Sequence, residues 1–198
     1  ENKYEIVGYI DNTLSQGKIV FGYPVLGNDE GIIDIIKKYS IKGGIIGVAD
    51  NYLRYQIKNR ITDIAPRFNF VKAIHPSSII AKKVLIGEGS VIMAGSIINS
   101  DSKIGNFCIV NTNASIDHDS IMDDFASVGP KAVTGGNCRL GKLSYIGIGA
   151  VVIHGVTIGE HSVIGANSTV LKNIESFKLV YGSPSKVKRK REVGEKYL

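Results

Sequence analysis

Between residues 80 and 169 the chain repeats itself every six residues, fifteen times, without an insertion. Cut in sixes it reads IAKKVL, IGEGSV, IMAGSI, INSDSK, IGNFCI, VNTNAS, IDHDSI, MDDFAS, VGPKAV, TGGNCR, LGKLSY, IGIGAV, VIHGVT, IGEHSV, IGANST. Fourteen units open on Ile, Leu, Val or Met, Thr134 being the exception, and the fifth residue is always Val, Ser, Cys or Ala. A period of six matches neither the roughly 3.6-residue turn of a helix nor the simple alternation of a long strand. A short strand plus a corner does fit, and three such units would close one triangular turn. The repeat then makes five stacked coils, with position one pointing an aliphatic side chain inward and position five offering a small one where the corner crowds the interior.

Stacked strands lie about 4.8 Å apart, so residues one full turn apart in sequence become vertical neighbours. Ser100, His118, Gly136 and His154 form one column on this reading, and Asp101, Asp119 and Asn137 form the next. The segment NTNASIDHDSIMDD, residues 111–124, is then an acidic patch on one side of a prism. His118 stands at the outward third position between Asp117 and Asp119. An imidazole beside carboxylates is held in one tautomer and made more basic, which suits a general base near neutral pH. The local sequence equally describes a surface histidine in an acidic corner. Asp123 and Asp124 read as a solvated continuation. Cys108 and Cys138 both fall at the small fifth position and read as core packing, not as a disulfide or a metal site.

Residues 1–74 have a different texture, alternating β-rich runs (YEIVGYI, GYPVLG, GGIIGVA, FNFVKAI) with helical patterns (DEGIIDIIKKYS, NYLRYQIKNRITDIA). They predict an α/β layer with parallel strands, the second helix placing Leu53, Ile57, Ile61 and Ile64 near one face. The expected division is 1–74 as an α/β domain, 75–181 as the coils, and 182–198 as a closing loop and tail. Six basic residues against Glu192 and Glu195 in the last 13 positions concentrate +4 of the net +6 in that tail. No aromatic interleaves with them, so a solvated or phosphate-contacting tail is expected and nucleic acid is not. No apolar run reaches the roughly 18 residues needed to cross a bilayer, and no apolar signal core follows the start. A cytoplasmic protein without membrane insertion is the expectation.

The repeat resembles the left-handed parallel β-helix of hexapeptide-repeat acyltransferases. Within that group VNTNASIDHD closely resembles the bacterial nucleotide-sugar N-acetyltransferases, acting on substrates such as UDP-4-amino-4,6-dideoxy sugars, and their sialic acid O-acetyltransferase relatives. The resemblance implies a catalytic base at His118 assisted by Asp119, a sugar contact at Asn111, and a Gly136 N–H that meets the acetyl carbonyl. For Asn111 a corner turn is the competing reading, Asn113 has a weaker claim, and Gly136 reads equally as a turn glycine. VYGSPSKVKRK is similar to the Gly-x-Pro-Ala-Lys loop that lies near coenzyme A, with Ser185 in place of the Ala. Pro184 and Lys186 are thereby coenzyme candidates, a plain C-terminal cap being the alternative. The α/β layer resembles the nucleotide-sugar-binding domain of this branch, which implies Asp11 and Asn12 as substrate contacts, with Asn51 and Arg54 as further candidates. Helix capping by Asp50 or Asn51 competes at that spot, and His75 reads as a junction residue. The branch's opening strand and glycine-rich turn are missing, so the α/β domain is expected to be N-terminally incomplete, a different mode of donor-sugar binding being the alternative.

The implied activity is direct acetyl transfer from acetyl-CoA, without a metal, to the amine of a nucleotide-linked amino sugar for bacterial surface glycan synthesis, or to a sugar hydroxyl in the O-acetylating relatives. The implied assembly is a homotrimer with the acetyl site in the cleft between prisms. Two other classes use such a scaffold: a metal enzyme like the γ-class carbonic anhydrases, and a non-catalytic scaffold. Strand spacing puts His118 and His154 two coils, roughly 9 to 10 Å, apart, too far to share a zinc ion within one chain.

Overall fold

A computed structural model describes residues 4–197. The described residues divide into two compact units, one comprising residues 4–44 and 56–70, the other residues 45–55 and 71–197. In the first, β1 (Tyr9–Ile10), β2 (Ile19–Val20) and β3 (Tyr23–Gly27) form a sheet in the order β1-β3-β2, followed by helix α1 (Ile32–Lys38). The sheet is mixed, not all parallel: β1 runs parallel to β3 and β2 antiparallel to it. The reversal at Phe21 and Gly22 explains the β2–β3 hairpin, since both have positive φ, 46° and 85°. Val25, Leu26, Ile32 and Ile35 are the buried core between sheet and helix.

The apolar run GGIIGVA forms no strand; it contributes one bridge, Gly44 to Phe70. Helix α2 (Asn51–Ile64) follows. Its expected apolar face is corrected, because Leu53 is exposed while Asn51 and Arg54 are buried. Asp50 caps this helix, its carboxylate accepting the Leu53 N–H at 2.8 Å.

The second unit is a three-sided parallel β-helix. Two-residue strands such as Ile109–Val110, Ser115–Ile116 and Ile121–Met122 occupy the three faces in turn, and each pairs in parallel with the strand one turn later, as in Ile109 with Ser127 and Ile121 with Arg139. Coiling starts at Ala73–Ile74, one strand before the counted repeat, because AIHPSS already places Ile and Ser correctly. His75 sits at that entry, its backbone N–H donating to Ile92 O. Every position-one residue from Ile92 to Val170 is buried, Thr134 included. Position four of every unit from Lys83 to Asn167 has positive φ, which fixes the corners where Asp, Asn or Gly recur. Cys108 and Cys138 are free and buried, as position five requires; burial pushes the Cys108 thiol up to about 12.

Two polar clamps brace the first face. Arg54, fully buried, donates to the carbonyls of Val48, Ala49, Phe107 and Phe125, and to Asn51 Oδ1 and Ser127 Oγ. Asn51 donates to Leu143 O and Ser144 O. The expectation that these two residues reach a substrate is thereby corrected: their polar atoms are consumed in buried contacts with the first face. The C-terminal segment is the second clamp. Lys178–Tyr181 and Lys186–Lys190 form an antiparallel hairpin at the end of the first face. Arg191 is buried, donating to His161 O and Glu195 O. The Tyr197 ring stacks on Tyr145 with centroids 4.5 Å apart, and its hydroxyl accepts the Asn51 N–H. Of the two expectations for the tail, the solvated one is therefore corrected to a docked strand, with Lys186, Lys188 and Lys190 exposed along it.

Candidate active site

The corner joining the second and third faces, residues 117–120, holds the densest chemistry of the prism. The positive φ of Asp119 (56°) turns its carboxylate back toward the preceding ring, so that His118 Nδ1 and Asp119 Oδ2 lie 2.8 Å apart. With Nδ1–H donating to the carboxylate, Nε2 keeps its lone pair. The hydrogen bond to Asp119 is the main reason the imidazole is held above its ordinary pKa, with Asp117 adding to it. Asp117 is itself pinned: it accepts Asn99 Nδ2–H at 2.7 Å and the His118 N–H at 2.8 Å, contacts that hold its carboxyl below the usual range.

One coil on, Gly136 lies buried beneath the ring. A Cβ at this position would meet His118 Nε2 at 2.5 Å and Cε1 at 2.6 Å. Its φ is not in the left-handed region, so the glycine is required by the close approach of an imidazole and not by a turn. The Gly136 N–H donates to no acceptor among the described residues. With no side chain between them, the rings of His118 and His154 lean together to a centroid separation of 6.2 Å. This corrects the 9 to 10 Å expected from strand spacing, which measured backbones and ignored the gap above a glycine.

The ladder also opens here. At other corners the N–H of position two donates to a backbone carbonyl of the next coil, as Asn111 does to Val128 O and Asp123 to Leu140 O. The Asp117 N–H instead reaches the Thr134 side-chain Oγ1 at 3.3 Å. The one polar break in the repeat is thus beside the catalytic candidate. That break, and the column linking Asn99 to Asp117, were the sequence signals for supporting residues that motif reading passed over.

The other candidates are dispersed. Asn111 lies at the preceding corner, between the first and second faces, where its Oδ1 accepts the Thr112 N–H. Asn113 is the positive-φ residue of that same corner. Asp123 and Asp124 belong to the following corner and are engaged, Asp123 with Arg139 at 3.1 Å and Asp124 with the Asn106 N–H at 2.7 Å, which corrects their reading as merely solvated. Pro184 and Lys186 are exposed at the turn of the closing hairpin, tied to the last coil by Ser185 N–H donating to Thr169 O. In the α/β unit, Asp11 and Asn12 line a pocket of about 440 Å³ with Asn28, Asp34, Lys38 and Tyr39. Asp11 Oδ1 accepts from Thr13 and Leu14, while the Asn12 amide exchanges two hydrogen bonds with Asp29, which pairs with Arg60. No group of three or more His, Cys, Asp or Glu residues able to hold a metal ion occurs among the described residues, and no described helix is long and apolar enough to cross a membrane.

Residues 137–172 match the family of bacterial transferase hexapeptides, six repeats. No curated protein sequence matches the chain. Among solved structures, it is similar to a histidine-to-alanine variant of GDP-perosamine N-acetyltransferase from Caulobacter crescentus in complex with CoA and GDP-perosamine. That likeness has 33% identity and a TM-score of 0.86, covering 92% of this chain and 84% of the other. The acetyltransferase domain of PglB from Neisseria gonorrhoeae is 30% identical with a TM-score of 0.81, covering 93% and 87%. WeeI from Acinetobacter baumannii is 26% identical with a TM-score of 0.81, covering 91% and 84%.

Proposed function

Because the chain belongs to the bacterial hexapeptide-repeat sugar acetyltransferases, which use acetyl-CoA as acetyl donor, we propose that it acetylates the amine of a nucleotide-linked amino sugar of the UDP-4-amino-4,6-dideoxy type, in the cytoplasm, for surface glycan synthesis. The observation that carries this reading is the Asp119–His118 pair lying directly over Gly136. His118 Nε2 takes the proton from the sugar amine as its nitrogen attacks the acetyl carbon. Asp119 holds the ring in the tautomer that leaves Nε2 free and stabilises the imidazolium that forms. The Gly136 N–H receives the oxyanion of the tetrahedral intermediate. Collapse expels the coenzyme A thiolate, which the imidazolium protonates, and no covalent enzyme intermediate forms. Pro184 and Lys186 lie along the coenzyme, and Asp11 and Asn12 hold the nucleotide end of the substrate.

The working form is a homotrimer. Asn111 and His118 stand on opposite edges of the second face, whose outward side chains include Ile79, Ile97, Val133 and Val151, with Ile79 and Val151 exposed in the single chain. Covering that aliphatic face with a neighbouring prism removes the exposed patch. It also brings Asn111 of one subunit toward the His118 corner of the next, where it contacts the sugar. The test is coenzyme A release across UDP-, GDP- and dTDP-linked amino sugars, GDP-perosamine among them, with wild type and His118→Ala. One acceptor turned over by the wild type, and turnover lost in a variant that still binds coenzyme A, supports the reading. No turnover of any acceptor, or an active His118→Ala enzyme, overturns it.

A further inference from the structure

The mechanism above uses one of two imidazoles that share a column, and the second stands free beside it. His154 is exposed, its ring 6.2 Å from that of His118 and tilted 49° to it, with only the backbone of Gly136 between. Zinc binds histidine nitrogen at about 2.0–2.1 Å, which puts a ligating ring's centroid roughly 3.2 Å from the ion and two tetrahedrally disposed rings roughly 5.2 Å apart. The observed separation exceeds that by about 1 Å, within the reach of exposed side-chain rotations. The chemistry around His118 is that of a metal ligand: its Nδ1–H is anchored by the Asp119 carboxylate at 2.8 Å, the outer contact that orients a ligating imidazole and raises its basicity. Asp117, at the same corner, adds negative charge.

We propose that His118 and His154 together form a site for one divalent transition-metal ion, zinc foremost, and that its occupation blocks the enzyme by capturing the lone pair the reaction needs. Two protein nitrogens leave the remaining coordination positions to water, so this is a reversible inhibitory site and not a cofactor site. Imidazole ligands select copper, nickel and zinc over magnesium, which prefers oxygen. The binding half of the inference stands on geometry alone; the inhibitory half rests on His118 being the base.

The test uses the full chain. Calorimetric titration with zinc chloride is expected to give one ion per chain, with affinity at least tenfold weaker in His118→Ala and in His154→Ala, and no heat with magnesium. In the coenzyme A release assay zinc is expected to inhibit the wild type, a chelator to restore it, and His154→Ala to need at least tenfold more zinc. Absence of zinc binding, or unchanged binding in His154→Ala, overturns the site while leaving the acetyltransferase reading intact. Zinc that binds at the pair yet leaves the rate unchanged overturns the inhibitory role and the assignment of His118 as base.

Discussion

Replacing Gly136 by alanine is expected to separate catalysis from stability. The added methyl would lie 2.5 Å from His118 Nε2, whereas nonbonded carbon and nitrogen settle at about 3.5–4.0 Å. The ring must therefore withdraw by roughly 1 Å. Withdrawing that far stretches the 2.8 Å contact to Asp119, so both the position of Nε2 and control of the tautomer are disturbed. A displacement of this size costs on the order of 10²-fold in rate, which is about 2.7 kcal/mol of transition-state stabilisation. Folding should not suffer. The backbone at 136 is outside the left-handed region, the ring that must move is half exposed, and alanine restricts the unfolded chain more than glycine does, worth about 0.4–1 kcal/mol in favour of the fold. The expected result is a melting temperature unchanged or slightly raised together with a turnover number down about a hundredfold, read by thermal denaturation and coenzyme A release on one preparation. Wild-type turnover would refute the placement of the imidazole, and a collapsed melting temperature would refute the claim that the clash is confined to the ring.

Asp119→Asn should lower the rate and move the acid limb of the pH profile of kcat/KM to lower pH. The base works unprotonated, and removing the carboxylate withdraws the main cause that holds the His118 pKa up; an acid limb that stays in place contradicts this. Arg54→Met should cost about 3–5 kcal/mol in urea denaturation, because the buried hydrogen bonds of the guanidinium to Phe107 O, Phe125 O and Ser127 Oγ are lost. A loss below about 1 kcal/mol would show that water replaces the guanidinium.

What could be read from sequence divides along a physical line. A period of six fixes both the strand and the corner of each unit, so the coil, its inward Ile and Val positions and its buried cysteines follow from counting. The column of His118, Gly136 and His154 followed the same way, but its distances did not. Backbone spacing cannot anticipate that rings close over an absent side chain. Arg54 was misread for a related reason: a charged residue on a helix is ordinarily solvent-facing, and only the carbonyls it meets at Phe107 and Phe125 explain its burial. The tail was misread because its charges alternate with residues that dock, Arg191 and Tyr197 among them. In residues 1–74 short strands leave too little periodicity to distinguish parallel from antiparallel pairing, which the Phe21–Gly22 reversal decides.

The uninterrupted pairing of Ile109 with Ser127 and Ile121 with Arg139 works like a gear train. Drop one tooth after His118 and every later side chain turns to the wrong azimuth, aliphatic groups outward and polar ones into the axis. Lengthening such an enzyme is therefore quantised: whole turns can be added, or a protrusion can bud from a corner, but nothing between these survives.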